Sequence, residues 1–356
     1  MLLARADGHY VVAKEKHMPN KSRFSQKERP SLLSKTLILS PLAAVAAWNI
    51  YRKLFIPQAL PLPPALPGER RVFQGRAGKL SYYVAGDGEP LLLIHSINAG
   101  ASSYEVRPIF EYFQQSRRVY ALDLPGFGFS ERSKRHYSPR LYSDAILDMI
   151  DEIQNQGDQI PVDALALSLG AEFLARAAVA QPDAFRSLVL MTPTGFSDRY
   201  QRYGPNNSTR FRPILHGFFA SPLLGRSFFD LLTTKPSIRY FLNKAFGSYE
   251  TIDQGLEGYD YLSAHQVGAE HAPFYFISGG LFSTDIGHIY EALDLPVWVP
   301  YGVKDAFTSF EAIDTLQDRP LWLFEAFDCG GLIHFEEPEL FIEKYKRFFV
   351  RSILQQ

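Results

Sequence analysis

The stretch VDALALSLGAEFLARAAV, residues 162–179, joins two patterns that together decide the fold. Residues 162–167 form a short apolar run, which is typical of a parallel strand buried on both faces. The residues after Ser168 have helical spacing. Ala166 and Gly170 are small, and a sharp strand-to-helix turn needs small residues at those two places. The stretch therefore predicts that Ser168 stands at the tip of such a turn.

Two interpretations of Ser168 follow from this turn. A serine there can be a nucleophile, raised above the sheet edge with the helix N-terminus pointing at it. It can equally be a residue that only caps the helix. The local pattern small-x-Ser-x-small is expected roughly once by chance in a chain of this length, so the choice depends on the rest of the sequence.

Apolar runs and helical patterns alternate on both sides of this stretch. Strands are predicted at 71–75, 79–86, 90–95, 118–124, 162–167, 187–193, 295–302 and 320–327, and helices at 102–115, 138–154 and 338–354. This order predicts a mostly parallel central sheet flanked by helices. The alternation stops over residues 195–291, which look helical and are rich in Phe and Tyr. We expect this block to be a helical cap over the carboxyl edge of the sheet, where open α/β sheets bind ligands.

The predicted domain organisation places this core behind an N-terminal extension. Residues 1–35 carry eight Lys or Arg against three Asp or Glu, which predicts a basic disordered tail. The divisions that follow are a hydrophobic segment at 36–56, a Pro-rich linker at 57–69, a first core segment at 70–194, the cap at 195–291 and a second core segment at 292–356.

The hydrophobic segment predicts membrane association. Residues 36–51 carry no charge, and the apolar run reaches the roughly 20 residues of a bilayer span only if Arg52 and Lys53 reach to the interface. We expect this segment to be a membrane anchor that either spans the bilayer or lies in its surface. The alternative is that the segment is a helix packed on the protein, in which case we expect the protein to be cytoplasmic. If the segment spans, the basic leader favours an N-terminus inside the cell.

Composition excludes several other classes. The net charge of −1 gives no basic excess for nucleic acid. Cys329 is the single cysteine, so a disulfide within the chain is impossible. The nine histidines are scattered without metal-ligand spacing, and we expect neither metal nor cofactor. Oligomeric state is left open.

A nucleophilic serine needs a base, and the base needs an orienting acid. Asp305 follows the strand at 295–302, and His334 lies in a Gly-rich loop after the strand at 320–327. The interpretation is therefore a Ser168, Asp305, His334 triad. Asp198 is the second choice for the acid.

An oxyanion hole completes the predicted site, since developing negative charge needs two backbone N–H donors. Leu169 N–H follows the nucleophile directly, and Ile97 N–H lies in the loop after the strand at 90–95. His95 is a less favoured second base. Asp305 and His334 could instead be a turn residue and a backbone-bonded loop histidine.

Several pieces together resemble α/β-hydrolase-fold serine hydrolases with an inserted helical cap. They are LLLIHS, VYALDLPGFGFSERS, ALSLG, YGVKD and GLIHFEEPELF, spread over residues 90–342. The resemblance implies a nucleophile at Ser168, an acid at Asp305 and a base at His334. The family usually has Gly where this chain has Ser96, and this departure affects the Ile97 assignment most.

The resemblance also limits the chemistry. A serine at the elbow is incompatible with the dehalogenases and epoxide hydrolases of this fold, which use an Asp nucleophile. We expect hydrolysis of a carboxylic ester, thioester or lactone of a small molecule with an apolar acyl group. The alternatives are hydrolysis of a carbon–carbon bond, as in meta-cleavage product hydrolases, and a ligand-binding receptor without catalysis.

Overall fold

The computed structural model describes residues 43–44, 46–51, 54, 59–157, 160–221 and 224–354. The chain divides into two units, Met1–Trp48 and Asn49–Gln356, and the described residues of the first, 43–44 and 46–48, are helical. The predicted tail at 1–35 and most of the segment at 36–56 lie outside the described residues. Among the residues described, no helix has the length and apolar character to cross a membrane.

The second unit contains an eight-stranded sheet among its described residues. The strands are β1 Glu69–Gly75, β2 Gly78–Ala85, β3 Pro90–Ile94, β4 Arg118–Asp123, β5 Val162–Leu167, β6 Phe185–Met191, β7 Val297–Gly302 and β8 Trp322–Phe327. Their order is β1-β2-β4-β3-β5-β6-β7-β8. β2 pairs antiparallel with β1 and β4, and the pairs from β4 to β8 are parallel. The predicted fold class is confirmed.

Helices cover the sheet and form the inserted cap. Those of the core are α1 Arg107–Phe113, α2 Pro139–Asn155, α3 Gly170–Ala180, α10 Asp314–Gln317, α11 Ile333–Glu336 and α12 Pro338–Leu354. Those of the cap, between β6 and β7, are α4 Pro213–Phe219, α5 Gly225–Leu232, α6 Lys235–Phe246, α7 Gln254–Ala264, α8 His271–Ile277 and α9 Ile286–Glu291. Short 3-10 turns lie at Ser103–Val106 and Pro182–Ala184.

The sheet is buried on both faces, which is why its central strands are continuous apolar runs. On one face Tyr142 of α2 stacks on Phe173 of α3, with ring centroids 4.6 Å apart. On the other face Trp298 of β7 stacks on Phe341 and Tyr345 of α12. These two layers hold the carboxyl ends of β3, β5, β6 and β7 in one rigid edge, and the candidate site lies along it.

Candidate active site

Ser168 stands at a strained turn between β5 and α3. Its φ is +49°, a left-handed conformation that costs a non-glycine residue about 1–3 kcal/mol. Its N–H donates to Met191 O at 2.9 Å. A Cβ on Gly170 would lie 2.5 Å from His95 O, so only glycine fits there. The sharp turn expected from the flanking small residues is therefore present.

The Ser168 hydroxyl does not cap helix α3. No side-chain cap bond is present at this helix start, and within the described residues the hydroxyl makes no hydrogen bond. The capping interpretation of Ser168 is therefore wrong. The strain of the turn holds a hydroxyl that has no structural partner.

The two proposed oxyanion donors are buried and unengaged. Ile97 and Leu169 are 4% and 1% exposed. Neither backbone N–H donates a hydrogen bond to any other described residue. By contrast, the N–H of Ser96 donates to Glu105 Oε2 at 2.7 Å. The free donors thus lie at the two places from which the sequence predicts them, the loop after β3 and the residue after Ser168.

Glu105 organises the loop after β3. Its carboxylate also accepts from Ser96 Oγ at 3.0 Å and from Asn98 Nδ2 at 2.6 Å. Burial raises the pKa of Glu105 to about 7. Asp260 of cap helix α7 is buried near it, and its pKa is raised well above the usual value by burial and by the charge of Glu105. Sequence reasoning missed Glu105, because a Glu at the start of an amphipathic helix usually faces solvent.

His95 is a structural residue of the same edge. Its Nδ1 lies 2.6 Å from Ser96 O, and its Nε2 accepts from Leu124 N–H at 3.0 Å. These partners assign the neutral tautomer with the proton on Nδ1. Burial lowers the pKa of His95 to about 4. Since both ring nitrogens are occupied, the interpretation of His95 as a second base is excluded.

Asp305 lies just past β7, as the sequence predicts. Its Oδ2 accepts from Thr308 N–H at 2.9 Å and from Thr308 Oγ1 at 2.5 Å. Burial raises the pKa of Asp305 above its ordinary value. Asp198, the second choice for the acid, is exposed. Of the two candidate acids, Asp305 is therefore the half-buried one, and it lies just past β7.

His334 does not meet Asp305 or Ser168 in this structure. It lies in α11, where its Nε2 donates to the backbone carbonyl of Glu105 at 2.6 Å and its Nδ1 has no partner. Burial lowers the pKa of His334 to about 4. The predicted His334–Asp305 contact is thus not made. The physical reason is that the chain has already turned into α11 at residue 334, which carries the ring toward the loop after β3.

Gly331 is the residue that faces Asp305. A Cβ on Gly331 would lie 3.1 Å from Asp305 Cγ and 3.2 Å from Thr192 Cγ2. Thr192 Oγ1 donates to Gly331 O at 3.0 Å. The Gly331 N–H donates to Ala245 O at 2.6 Å, so the end of cap helix α6 closes over this corner.

No group of three or more His, Cys, Asp or Glu side chains that could hold a metal occurs in the portion of the chain that the structure describes.

Comparison with known proteins agrees with this architecture. Residues 89–276, more than half of the chain, match the family described as the alpha/beta hydrolase fold. A 2-hydroxymuconate semialdehyde hydrolase of Pseudomonas sp. (strain CF600) is 30% identical over 115 residues, which are 32% of this chain and 39% of that protein. The matched region spans less than half the length of the curated relatives.

Solved structures show the same fold at lower identity. A serine hydrolase involved in carbazole degradation superposes with a TM-score of 0.61 at 20% identity, covering 80% of this chain and 99% of that one. A meta-cleavage product hydrolase from Pseudomonas fluorescens IP01 gives 0.59 at 19% identity, covering 79% and 98%.

Proposed function

The chain belongs to the α/β hydrolase fold family, and from that premise we propose that it is a serine hydrolase of ester-like substrates whose nucleophile is Ser168. The observation that carries the proposal is the strained, unpartnered hydroxyl at φ +49°. Folding must offset a strain of about 1–3 kcal/mol at this residue, and such strain is typical of functional sites. The free N–H groups of Leu169 and Ile97 support the same conclusion, because an oxyanion hole needs unengaged donors.

The proposed reaction is acyl transfer in two steps. Ser168 Oγ forms a bond to the acyl carbon, the carbonyl oxygen becomes an oxyanion held by the two N–H groups, and the hydroxyl proton is released. The bond to the leaving group then breaks and the leaving group departs with the electron pair. Water attacks the acyl-enzyme and releases the carboxylic acid and free Ser168.

His334, the predicted base of the triad, is bonded to the Glu105 carbonyl and not to Ser168. A role for His334 would require its bond to the Glu105 carbonyl to break and its ring to turn toward Ser168. Asp305 has no cationic partner in the described structure, and its half-buried carboxylate is available to stabilise a cation.

We propose an apolar acyl group as the portion of the substrate bound under the cap. Support comes from the apolar character of the surroundings, since Ile97 and Leu169 are both buried and belong to the large apolar core that reaches the elbow. The many aromatic residues of the cap give less support to an apolar substrate than the sequence suggests. Phe219 stacks on Phe228 at 4.7 Å, and Phe274 packs beside them, so these rings form the cap's own core.

A ligand-binding protein without turnover is the second candidate function. One specific observation favours it: neither ring nitrogen of His334 contacts Ser168 or Asp305. Hydrolysis of a carbon–carbon bond in a dienone is a third candidate function. It is tested because the relative from Pseudomonas sp., which matches 32% of this chain, is a 2-hydroxymuconate semialdehyde hydrolase.

A substrate panel tests the proposed function. The full chain is assayed with p-nitrophenyl acetate and decanoate, a decanoyl thioester, a lactone and a dienone, with product identification. Ser168→Ala is the test variant. Ser116→Ala, at an exposed serine at the opposite end of the sheet, is the matched control. Turnover of an ester or thioester that is lost in Ser168→Ala alone supports the proposal. Binding of these compounds without any turnover favours the receptor.

Membrane association is a separate proposal. Its support is an apolar surface on neighbouring cap helices, where Ile214, Phe218 and Leu231 are 93%, 49% and 57% exposed. Ser227 of α5 donates to Asn49 Oδ1 at 3.2 Å, so a described residue of the hydrophobic segment contacts one of these two helices. We expect the full chain to sediment with vesicles of anionic lipid, and Ile214→Ser/Phe218→Ser to weaken this. Equal recovery of both proteins in the supernatant would contradict it.

A further inference from the structure

The loop after β8 turns back across the ends of its neighbouring strands. Lys304 N–H donates to Cys329 O at 2.9 Å, which brings the loop over the end of β7. The next contact, from Thr192 Oγ1 to Gly331 O at 3.0 Å, brings it over the end of β6. Parallel strands lie about 4.8 Å apart. Gly331 therefore lies close to the end of β6, although it follows β8 in the chain.

From this place Gly331 stands between the acid and the elbow. Its Cα faces Asp305, with 3.2 Å from an added Cβ to Asp305 Oδ1. Thr192, its neighbour just past the end of β6, directly follows Met191, whose carbonyl accepts from Ser168 N–H. A side chain at 331 would thus begin against the carboxylate and have the elbow of the adjacent strand within its reach.

We infer that residue 331, not residue 334, is the base position of this site, and that with glycine there Ser168 acts without a side-chain base. This inference rests on the proposed nucleophile. His334 starts three residues later, and its ring is held at the Glu105 carbonyl. Asp305 correspondingly accepts hydrogen bonds from its own loop, through Thr308.

A substrate class follows from this arrangement. In a complete triad the histidine receives the serine proton and gives it to the leaving group. Without that proton, only leaving groups that are stable as anions depart readily. The substrates are then activated acyl donors, namely thioesters and aryl esters. Ser168 Oγ bonds to the acyl carbon, the carbon–sulfur or carbon–oxygen bond breaks, the thiolate or phenolate takes the electron pair, and the serine proton passes to water.

The test introduces a histidine at position 331 and, by a second substitution at Thr192, makes space for its side chain. Thr192→Ser removes the methyl group that would lie 3.2 Å from the new Cβ and keeps the hydroxyl that donates to Gly331 O. Thr192→Ser/Gly331→His is compared with Thr192→Ser/Gly331→Ala, which adds the Cβ without the imidazole. His334→Gln retains a donor for the Glu105 carbonyl and removes the imidazole. Each protein is assayed with p-nitrophenyl butyrate and with ethyl butyrate.

We expect the wild type to cleave the aryl ester and to leave the ethyl ester unchanged. The histidine variant should cleave ethyl butyrate at least about 100-fold faster than the alanine control, since a positioned base contributes roughly 10²–10⁴-fold. His334→Gln should stay within about threefold of the wild type on the aryl ester.

Three results would overturn the inference. The histidine variant, folded by circular dichroism, could be no faster than the alanine control. His334→Gln could lose more than about tenfold on the aryl ester, and this result decides the matter even if the double variant fails to fold. The wild type could cleave ethyl and aryl esters equally well. Aryl ester cleavage that survives Ser168→Ala would instead refute the proposed function itself.

Discussion

Glu105 makes the stability of this protein depend on pH in a way that one substitution should reverse. The side chain is 3% exposed, and its carboxylate holds the loop that contains Ile97 by accepting from Ser96 and Asn98. Burial raises its pKa from 4.5 to about 7. A group whose pKa is raised in the folded state stabilises the fold fully below its unfolded pKa. That stability is lost as the pH rises through the folded pKa.

The expected magnitude follows from the size of this shift. One pKa unit corresponds to about 1.4 kcal/mol, so ionising Glu105 in the fold costs about 3 kcal/mol between pH 4.5 and pH 8. Glu105→Gln removes this cost. It also leaves one oxygen in place of two for Ser96 and Asn98, and the lost hydrogen bond costs about 1 kcal/mol. The variant should therefore be less stable than the wild type by about 1 kcal/mol at pH 4, about equally stable near pH 5, and more stable by about 2 kcal/mol at pH 8.

Urea unfolding at pH 4, 5, 6, 7 and 8 measures this crossover in the difference between the two proteins. Groups that titrate alike in both proteins cancel from that difference. The exception is Asp260, because the charge of Glu105 raises its pKa in the wild type. Glu111→Gln, at a partly exposed position of α1, is the control and should shift stability by less than about 0.5 kcal/mol at every pH. A Glu105→Gln curve parallel to that of the wild type would refute the reasoning.

Three further predictions test other buried groups. His334→Gln should remove a loss of folding stability that the wild type suffers in acid. Because burial lowers the pKa of His334 from 6.5 to about 4, the wild type loses about 3 kcal/mol of stability as the pH falls between those values. A difference in urea midpoints between the two proteins that stays constant across pH 4–7 would contradict this. Asp305→Asn should gain thermal stability relative to the wild type as the pH rises above 3.8, the ordinary pKa of this carboxyl, since burial raises the pKa of Asp305 in the fold. A relative loss of stability over that rise, measured by calorimetry, would count against this. Asp163→Asn should cost about 3–5 kcal/mol in urea unfolding, since it removes the buried carboxylate that pairs with the buried Arg117 and with Arg186, which keeps its second pair with Glu89. Asp144→Asn, at the exposed Arg140 pair, should cost less than about 1 kcal/mol, and similar values for the two variants would be inconsistent with the buried network.

Much of the fold could be predicted because the burial of each strand is visible in the apolar character of its own residues. A strand covered on both faces is apolar at nearly every position, and β3 and β5 are buried throughout. The exception is Asp163 of β5, which is buried in ion pairs with Arg117 and Arg186. The elbow was equally predictable, since the close approach of Gly170 to the His95 carbonyl demands a small residue whatever the rest of the chain does.

The candidate site could be predicted only where it depends on strand ends. Asp305 follows its strand directly and lies where expected. His334 was misplaced relative to Asp305, because the course of the loop after β8 depends on contacts with distant residues. The bonds of Gly331 to Ala245 and Thr192 decide which residue faces the acid, and no local pattern encodes them. Glu105 was missed for the same reason, since only the packed cap and loop bury it.

The most direct measurement is the site of covalent modification by a fluorophosphonate, mapped by peptide mass spectrometry on the full chain. The expected adduct lies on Ser168, with loss of fluoride, and is absent from Ser168→Ala but present in Ser116→Ala. An adduct elsewhere, or equal labelling of wild type and Ser168→Ala, would contradict a nucleophile at this turn.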